Sequence, residues 1–211
     1  MRTIMTLNTK GGSGKTTLAT NLAGYYAEAG KKVALADYDR QHSSLEWLNQ
    51  RPDYYAEITP IDGTAGNARP PRSTEILIMD APAAVYGKEL TELVKKAETL
   101  LIPVLPSPID IRAAARFIQE LLTVGKISRK QTKLAIVANR SREYTRVYQT
   151  LDAFLESLKI PFITTLRDSQ NYIRAAEQGI SIHEMAPSAV WQDEEQWEPL
   201  LKWLDSKRSR P

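Results

Sequence analysis

The chain has no cysteine among its 211 residues. That excludes disulfides and thiolate-held iron–sulfur clusters, and it suits a reducing compartment. Histidine is nearly as sparse. His42 and His183 each stand without a second ligand at metal-binding spacing, so both are read as structural or surface residues. No apolar run approaches the ~18 residues of a membrane helix, and residues 2–7 read as a strand rather than a secretory signal. A large charge of one sign is also missing: 28 basic against 25 acidic residues leave +3, a weak overall pull toward polyanions. The expectation is a soluble, cytoplasmic protein. With 42% apolar residues, this length predicts one domain, residues 1–211, around a sizeable core.

Strand and helix signals alternate along the chain. Strands are expected at residues 2–7, 33–36, 58–61, 76–79, 99–104, 134–138 and 162–165, the third of them at a sheet edge. Helices are expected at 16–29, 43–49, 88–97, 111–122, 144–158, 169–178 and 194–206. Ser43 and Ser44 are candidate N-caps, and Pro52 forecloses the helix they start. Residues 62–73, rich in Gly, Pro and Arg, read as a loop. Such alternation predicts an α/β fold, a mostly parallel sheet with helices on both faces.

Lys10-Gly11-Gly12-Ser13-Gly14-Lys15-Thr16-Thr17 lies between the first strand and the first helix. Three glycines let backbone N–H groups turn inward onto a phosphate chain, and Lys15 adds a point charge. Thr16 offers a hydroxyl to a magnesium ion, and the helix N-terminus favours anions. This is the chemistry of a nucleoside triphosphate site. The first glycine of the general phosphate-loop pattern is Thr9 here, and a second lysine, Lys10, precedes the glycine pair. The stretch resembles the deviant Walker A motif of the ParA/MinD family of P-loop ATPases. That resemblance implies ATP and Mg2+ as cofactors, and a Lys10 that reaches across an ATP-dependent homodimer.

In an open parallel sheet the ligand sits beyond the carboxyl ends of the strands. Asp37 and Asp39, in Asp37-Tyr38-Asp39-Arg40-Gln41, resemble the family's switch I, with Arg40 replacing its proline. Asp80-Ala81-Pro82 resembles its Walker B segment. By that resemblance Thr16 ligates the metal, Asp37 and Asp80 hold its water shell, and Asp39 orients the attacking water. Asn139 is placed on the adenine edge, and Pro108, in the turn of residues 106–110, over the base. The competing reading of a strand-end acid is a helix cap.

Residues 126–174 carry ten basic side chains against four acids, a surplus of six positive charges. The resemblance extends through residues 173–177 and is to the short ParA class, whose ATP-bound dimers grip DNA without sequence preference. Arg167 and Arg174 are the first candidate DNA contacts; Arg140, Arg142 and Arg146 are the second. A solvated basic face is the bland alternative. The implied function is a slow, adaptor-stimulated partition ATPase, nucleoid-associated when ATP-bound, which positions a plasmid, a chromosome region or an organelle such as a carboxysome. A MinD-like membrane regulator and a metabolite phosphotransferase compete with it. In the last helix Trp197, Leu200, Leu201 and Leu204 form a stripe that reads as docked on the core. Glu194, Glu195, Glu198 and Asp205 argue against an anionic bilayer.

Overall fold

The computed structural model describes residues 1–66, 69–124, 127, 131–141, 156 and 159–211. Seven strands form one sheet: β1 Arg2–Thr6, β2 Val33–Asp37, β3 Ile58–Asp62, β4 Ile76–Asp80, β5 Thr99–Val104, β6 Lys133–Ser141 and β7 Phe162–Arg167. Their order is β3-β2-β4-β1-β5-β6-β7, and every pairing is parallel. β1, β2 and β5 are buried along their whole length, as expected of short apolar runs covered on both faces. β3 is buried only at Ile58 and Ile61 and carries Pro60, which an edge strand tolerates because one side of its ladder is unpaired.

Six helices are described: α1 Lys15–Glu28, α2 Ser43–Asn49, α3 Gly87–Val94, α4 Pro108–Thr123, α5 Gln170–Glu177 and α6 Pro187–Asp205. Successive side chains of a strand point to opposite faces, so each strand feeds two cores. Met5, Met79 and Ile102 pack under Leu90 of α3 and Phe117 and Ile118 of α4. Ile4, Leu35 and Ile78 pack under Leu18 and Leu22 of α1, Trp47 of α2 and Trp197 and Leu200 of α6. Arg2 clasps the far end of the chain to the sheet. Its Nη2 donates to Thr99 Oγ1 at 2.7 Å and to Ser209 O at 3.0 Å, with all three residues buried.

Three expectations shift. The last helix begins at Pro187, not 194, because Val190 and the buried Asp193 extend its inward face. β6 continues past residue 138 to Ser141 through a bulge against β7. Neither Ser43 nor Ser44 caps α2: His42, in a left-handed conformation at φ 52°, occupies that position without a side-chain cap. The helix expected at 144–158 lies outside the described residues apart from position 156. Among the described residues no helix is long and apolar enough to cross a membrane.

Candidate functional site

Beyond β1 the chain turns through the glycine loop into α1. Asn8 pins the start of the loop: its Nδ2 donates to Pro103 O at 2.7 Å and its Oδ1 accepts from Lys10 N at 3.0 Å. Gly12 and Gly14 adopt φ of 73° and 99°, the left-handed region that suits glycine. Gly14 is the N-cap of α1 and no side chain caps the helix, so its first N–H groups remain free for an anion. Lys15 is 7% exposed, and burial lowers its pKa, partly offset by Asp80 and Asp39. Ser13 Oγ is buried without a partner among the described residues. Free donors, a buried ammonium and an orphaned hydroxyl converge on one cradle that fits a polyphosphate.

Parallel register sets Asp37 opposite Asp80 and Thr6 opposite Asp80. Asp80 accepts from Thr16 Oγ1 at 2.7 Å. Burial pushes its carboxyl up to about 7; the Thr16 hydrogen bond opposes that shift, and the nearby Asp37 and Asp39 add to it. A buried carboxyl held up in this way is one that a cation would ionise, and Thr16, Asp37 and Asp80 fit a magnesium ion with retained waters. Asp37 has a second occupation. Its Oδ2 accepts from Ser44 N at 2.9 Å and Ser44 Oγ at 2.6 Å, and its Oδ1 from Asp39 N at 2.9 Å. It therefore supplies the cap that α2 lacks. Asp39 is half-buried, and its Oδ1 accepts from Gln41 N at 3.0 Å.

The loop separates two clefts. One, of about 510 Å³, is lined by Gly11, Lys15, Thr16, Asp39 and Glu89. The other, of about 460 Å³, is lined by Gly14, Thr17, Asn139, Arg140, Tyr172 and Ile173. Asn139 reaches the loop through the bulge in β6, which puts Arg140 at φ 54°. Its Nδ2 donates to Ser13 O at 2.9 Å, so the amide N–H expected on the adenine edge supports the loop backbone here. Pro108 starts α4 behind the N-cap Ser107 and lines neither cleft.

Lys10 is 42% exposed, and its ammonium pairs with Asp110 in the first turn of α4. Arg167 is engaged within its own subunit: Nε donates to Asp193 Oδ1 at 2.6 Å and Nη2 to Asp193 Oδ2 at 3.1 Å, and Gln192 takes a further N–H. It belongs to the β7–α6 contact rather than to a free basic patch. Arg140 is exposed beside Asp168 at 3.4 Å, and Arg174 is exposed on α5. Arg142 and Arg146 lie outside the described residues. Sequence reasoning missed Asn8, Glu89 and Tyr172, and read Ser44 as an N-cap where it donates to Asp37 instead. Of those missed, only Asn8, a polar residue directly after a buried strand, carried a signal. No group of three or more His, Cys, Asp or Glu side chains placed to share one metal ion is found among the described residues.

A glycine loop feeding a helix N-terminus behind a parallel strand, with carboxylates on the neighbouring strand ends, defines a phosphate-loop nucleotide-binding protein. Residues 4–182 match the CobQ/CobB/MinD/ParA nucleotide binding domain, and the chain belongs to that family. It is 28% identical over 192 residues to Maintenance of carboxysome distribution protein A of Halothiobacillus neapolitanus, with 87% of each chain covered. It is also 28% identical over 221 residues to Septum site-determining protein MinD of Synechocystis, covering 84% of this chain and 80% of that one. Among solved structures, an ATP complex of a McdA variant from Cyanothece shares the fold with TM-score 0.71 at 19% identity, covering 95% and 96% of the two chains. A putative plasmid partition protein of Borrelia burgdorferi bound to AMPPNP shares it with TM-score 0.70 at 16% identity, covering 95% and 98%.

Proposed function

We propose that residues 1–211 act as one ATPase domain that dimerises on ATP, binds DNA without sequence preference and positions a cargo through an adaptor protein. The observation that carries this reading is Lys10. It stands half-exposed at the head of a formed phosphate loop, held only by Asp110 among the described residues, and is free to exchange that carboxylate for a partner's phosphates. The family membership and the carboxysome-distribution relative support the same reading.

In this mechanism the N-terminal N–H groups of α1 and Lys15 would hold the β- and γ-phosphates, and Thr16, Asp37 and Asp80 would hold Mg2+, which when bound would supply charge neutralisation at the phosphoryl oxygens. Asp39, facing the cleft beside Gly11, orients a water in line with the terminal phosphate. The base lies in the second cleft, where Asn139 Oδ1 offers an acceptor to the adenine amino group. Arg174 and Arg140 lead the proposed DNA contacts, since Arg167 is engaged by Asp193. The docked stripe of α6 weighs against a membrane regulator: Trp197, Leu200 and Leu204 are buried against the sheet.

The experiment compares wild type with Lys10→Ala by sizing chromatography in ATP and in ADP, with turnover measured in parallel. An ATP-dependent dimer in the wild type, lost with its turnover in the variant while ATP affinity persists, is the expected result. A variant that dimerises and turns over normally would overturn the reading.

A further inference from the structure

A groove of about 840 Å³ lies on the outer side of α6, between that helix, the C-terminal half of α1 and the 3-10 turn Ile182–Glu184. Tyr25 sits roughly 15 Å along α1 from Lys15, at about 1.5 Å per residue, so the groove is remote from the phosphate loop. Its walls are aromatic. Trp191 is 59% exposed there, whereas Trp47 and Trp197 are buried in the core. His183 stands edge-on to Tyr25 at 5.1 Å and to Trp197 at 5.2 Å. Its Nε2 is buried without a partner among the described residues, and burial pushes its pKa down to about 4, so the ring adds no positive charge near neutral pH.

The rim is acidic, with Glu194, Glu195, Glu198 and Asp205 against Lys202. Lys202 pairs with Glu198 at 2.7 Å, which leaves Glu194 and Glu195 without a cationic partner among the described residues. The crowding is felt nearby: burial and then Glu184 and Glu194 raise the Glu28 carboxyl above its usual range. An exposed tryptophan beside unpaired carboxylates over an apolar floor complements a guanidinium flanked by apolar side chains. Arginine both stacks on an indole and donates in a fork to carboxylates, which lysine cannot do.

We infer that this groove docks a short arginine-bearing segment of a partner protein, with the guanidinium on Trp191 and against Glu194 and Glu195, and an apolar neighbour against Tyr25 and Leu201. The chain's own basic residues Lys207, Arg208 and Arg210 are poor occupants. Ser209 among them is buried and held by Arg2, which fixes that stretch against the sheet in every copy.

The test is fluorescence anisotropy of a labelled peptide of alternating arginine and leucine, titrated with the full chain at low salt and without nucleotide. A lysine–leucine peptide is run beside it. Saturable binding is expected for the arginine peptide and weaker binding for the lysine one. Trp191→Ala and the pair Glu194→Lys/Glu195→Lys should each weaken it roughly tenfold or more. The charge-matched pair Asp53→Lys/Glu57→Lys, exposed near α2, should leave it unchanged, and thermal melts of all variants check the fold. No saturable binding, equal affinity for both peptides, or equal loss in the two reversal pairs would overturn the proposal. So would self-association abolished by Glu194→Lys/Glu195→Lys, which would make a second copy the occupant. With no nucleotide present, such a failure leaves the ATPase reading untouched.

Discussion

Gly14 satisfies two constraints at one Cα. Its φ of 99° is strained for any L side chain, and a Cβ there would lie 1.9 Å from Asn139 Nδ2. Gly14→Ala should therefore cost about 1–3 kcal/mol and push Asn139 off the loop. A lower Tm together with at least tenfold weaker binding of a fluorescent ATP analogue is expected; intact affinity would show that the loop does not need this contact. Among the described residues the Asp39 side chain makes one hydrogen bond, to Gln41 N, so its removal disturbs little of the fold. Asp39→Ala should bind ATP as wild type does and hydrolyse it about a hundredfold more slowly, read by phosphate release. The glycine loop and Lys15 were legible because phosphate chemistry fixes their spacing along the chain, and the acids because they close expected strands and resemble the family's segments there. The bond from Asn139 to Ser13 was not, since it depends on a bulge that no residue type announces.

At the scale of elements, β7 and α6 are joined through Arg167 and Asp193. Asp193 is fully buried and also accepts from Asn171 Nδ2 at 2.7 Å, so it would keep only part of its support without the guanidinium. Arg167→Ala should destabilise the chain by about 2–3 kcal/mol. Urea titration measures that loss, and a change within a few tenths of a kcal/mol would mean that Asp193 finds other partners. Any loss of DNA binding in this variant must be read against its stability, which makes Arg174→Ala the cleaner probe. The same buried acid explains why the start of α6 was missed: an aspartate at an inward position breaks the apolar stripe that marks a helix face. α2 was found with the wrong cap for a related reason. Asp37 caps it from the end of β2, seven residues before Ser44, and pattern reading sees only the residues just before a helix.

For the whole molecule, the layered parallel architecture was readable from the alternation of elements, while the order of strands and the pairing of β6 with β7 needed coordinates. The proposed function belongs to this scale too, because the proposed dimer would present two copies of Arg174 and Arg140 to one duplex. The ATP-bound protein should retain mixed-sequence DNA on a filter with Mg2+ present, and binding should fall steeply between low and moderate salt as counterions are released. Arg174→Ala should flatten that salt dependence without altering ATP affinity. Equal retention with ADP would separate DNA binding from the dimer.

The Arg2 clasp has one more consequence. Because Arg2 hydrogen-bonds Ser209 directly, residues that stand at opposite ends of the sequence are neighbours in space. A short glycine–serine linker across that junction would turn the fold into a closed ring, which could be reopened at the exposed stretch Thr64–Gly66 to give a circular permutant with the sheet unchanged. The nucleotide site lies at the other end of the strands, so fluorescent reporters fused at the new opening, rather than at the clasp, would be free to follow one subunit meeting another.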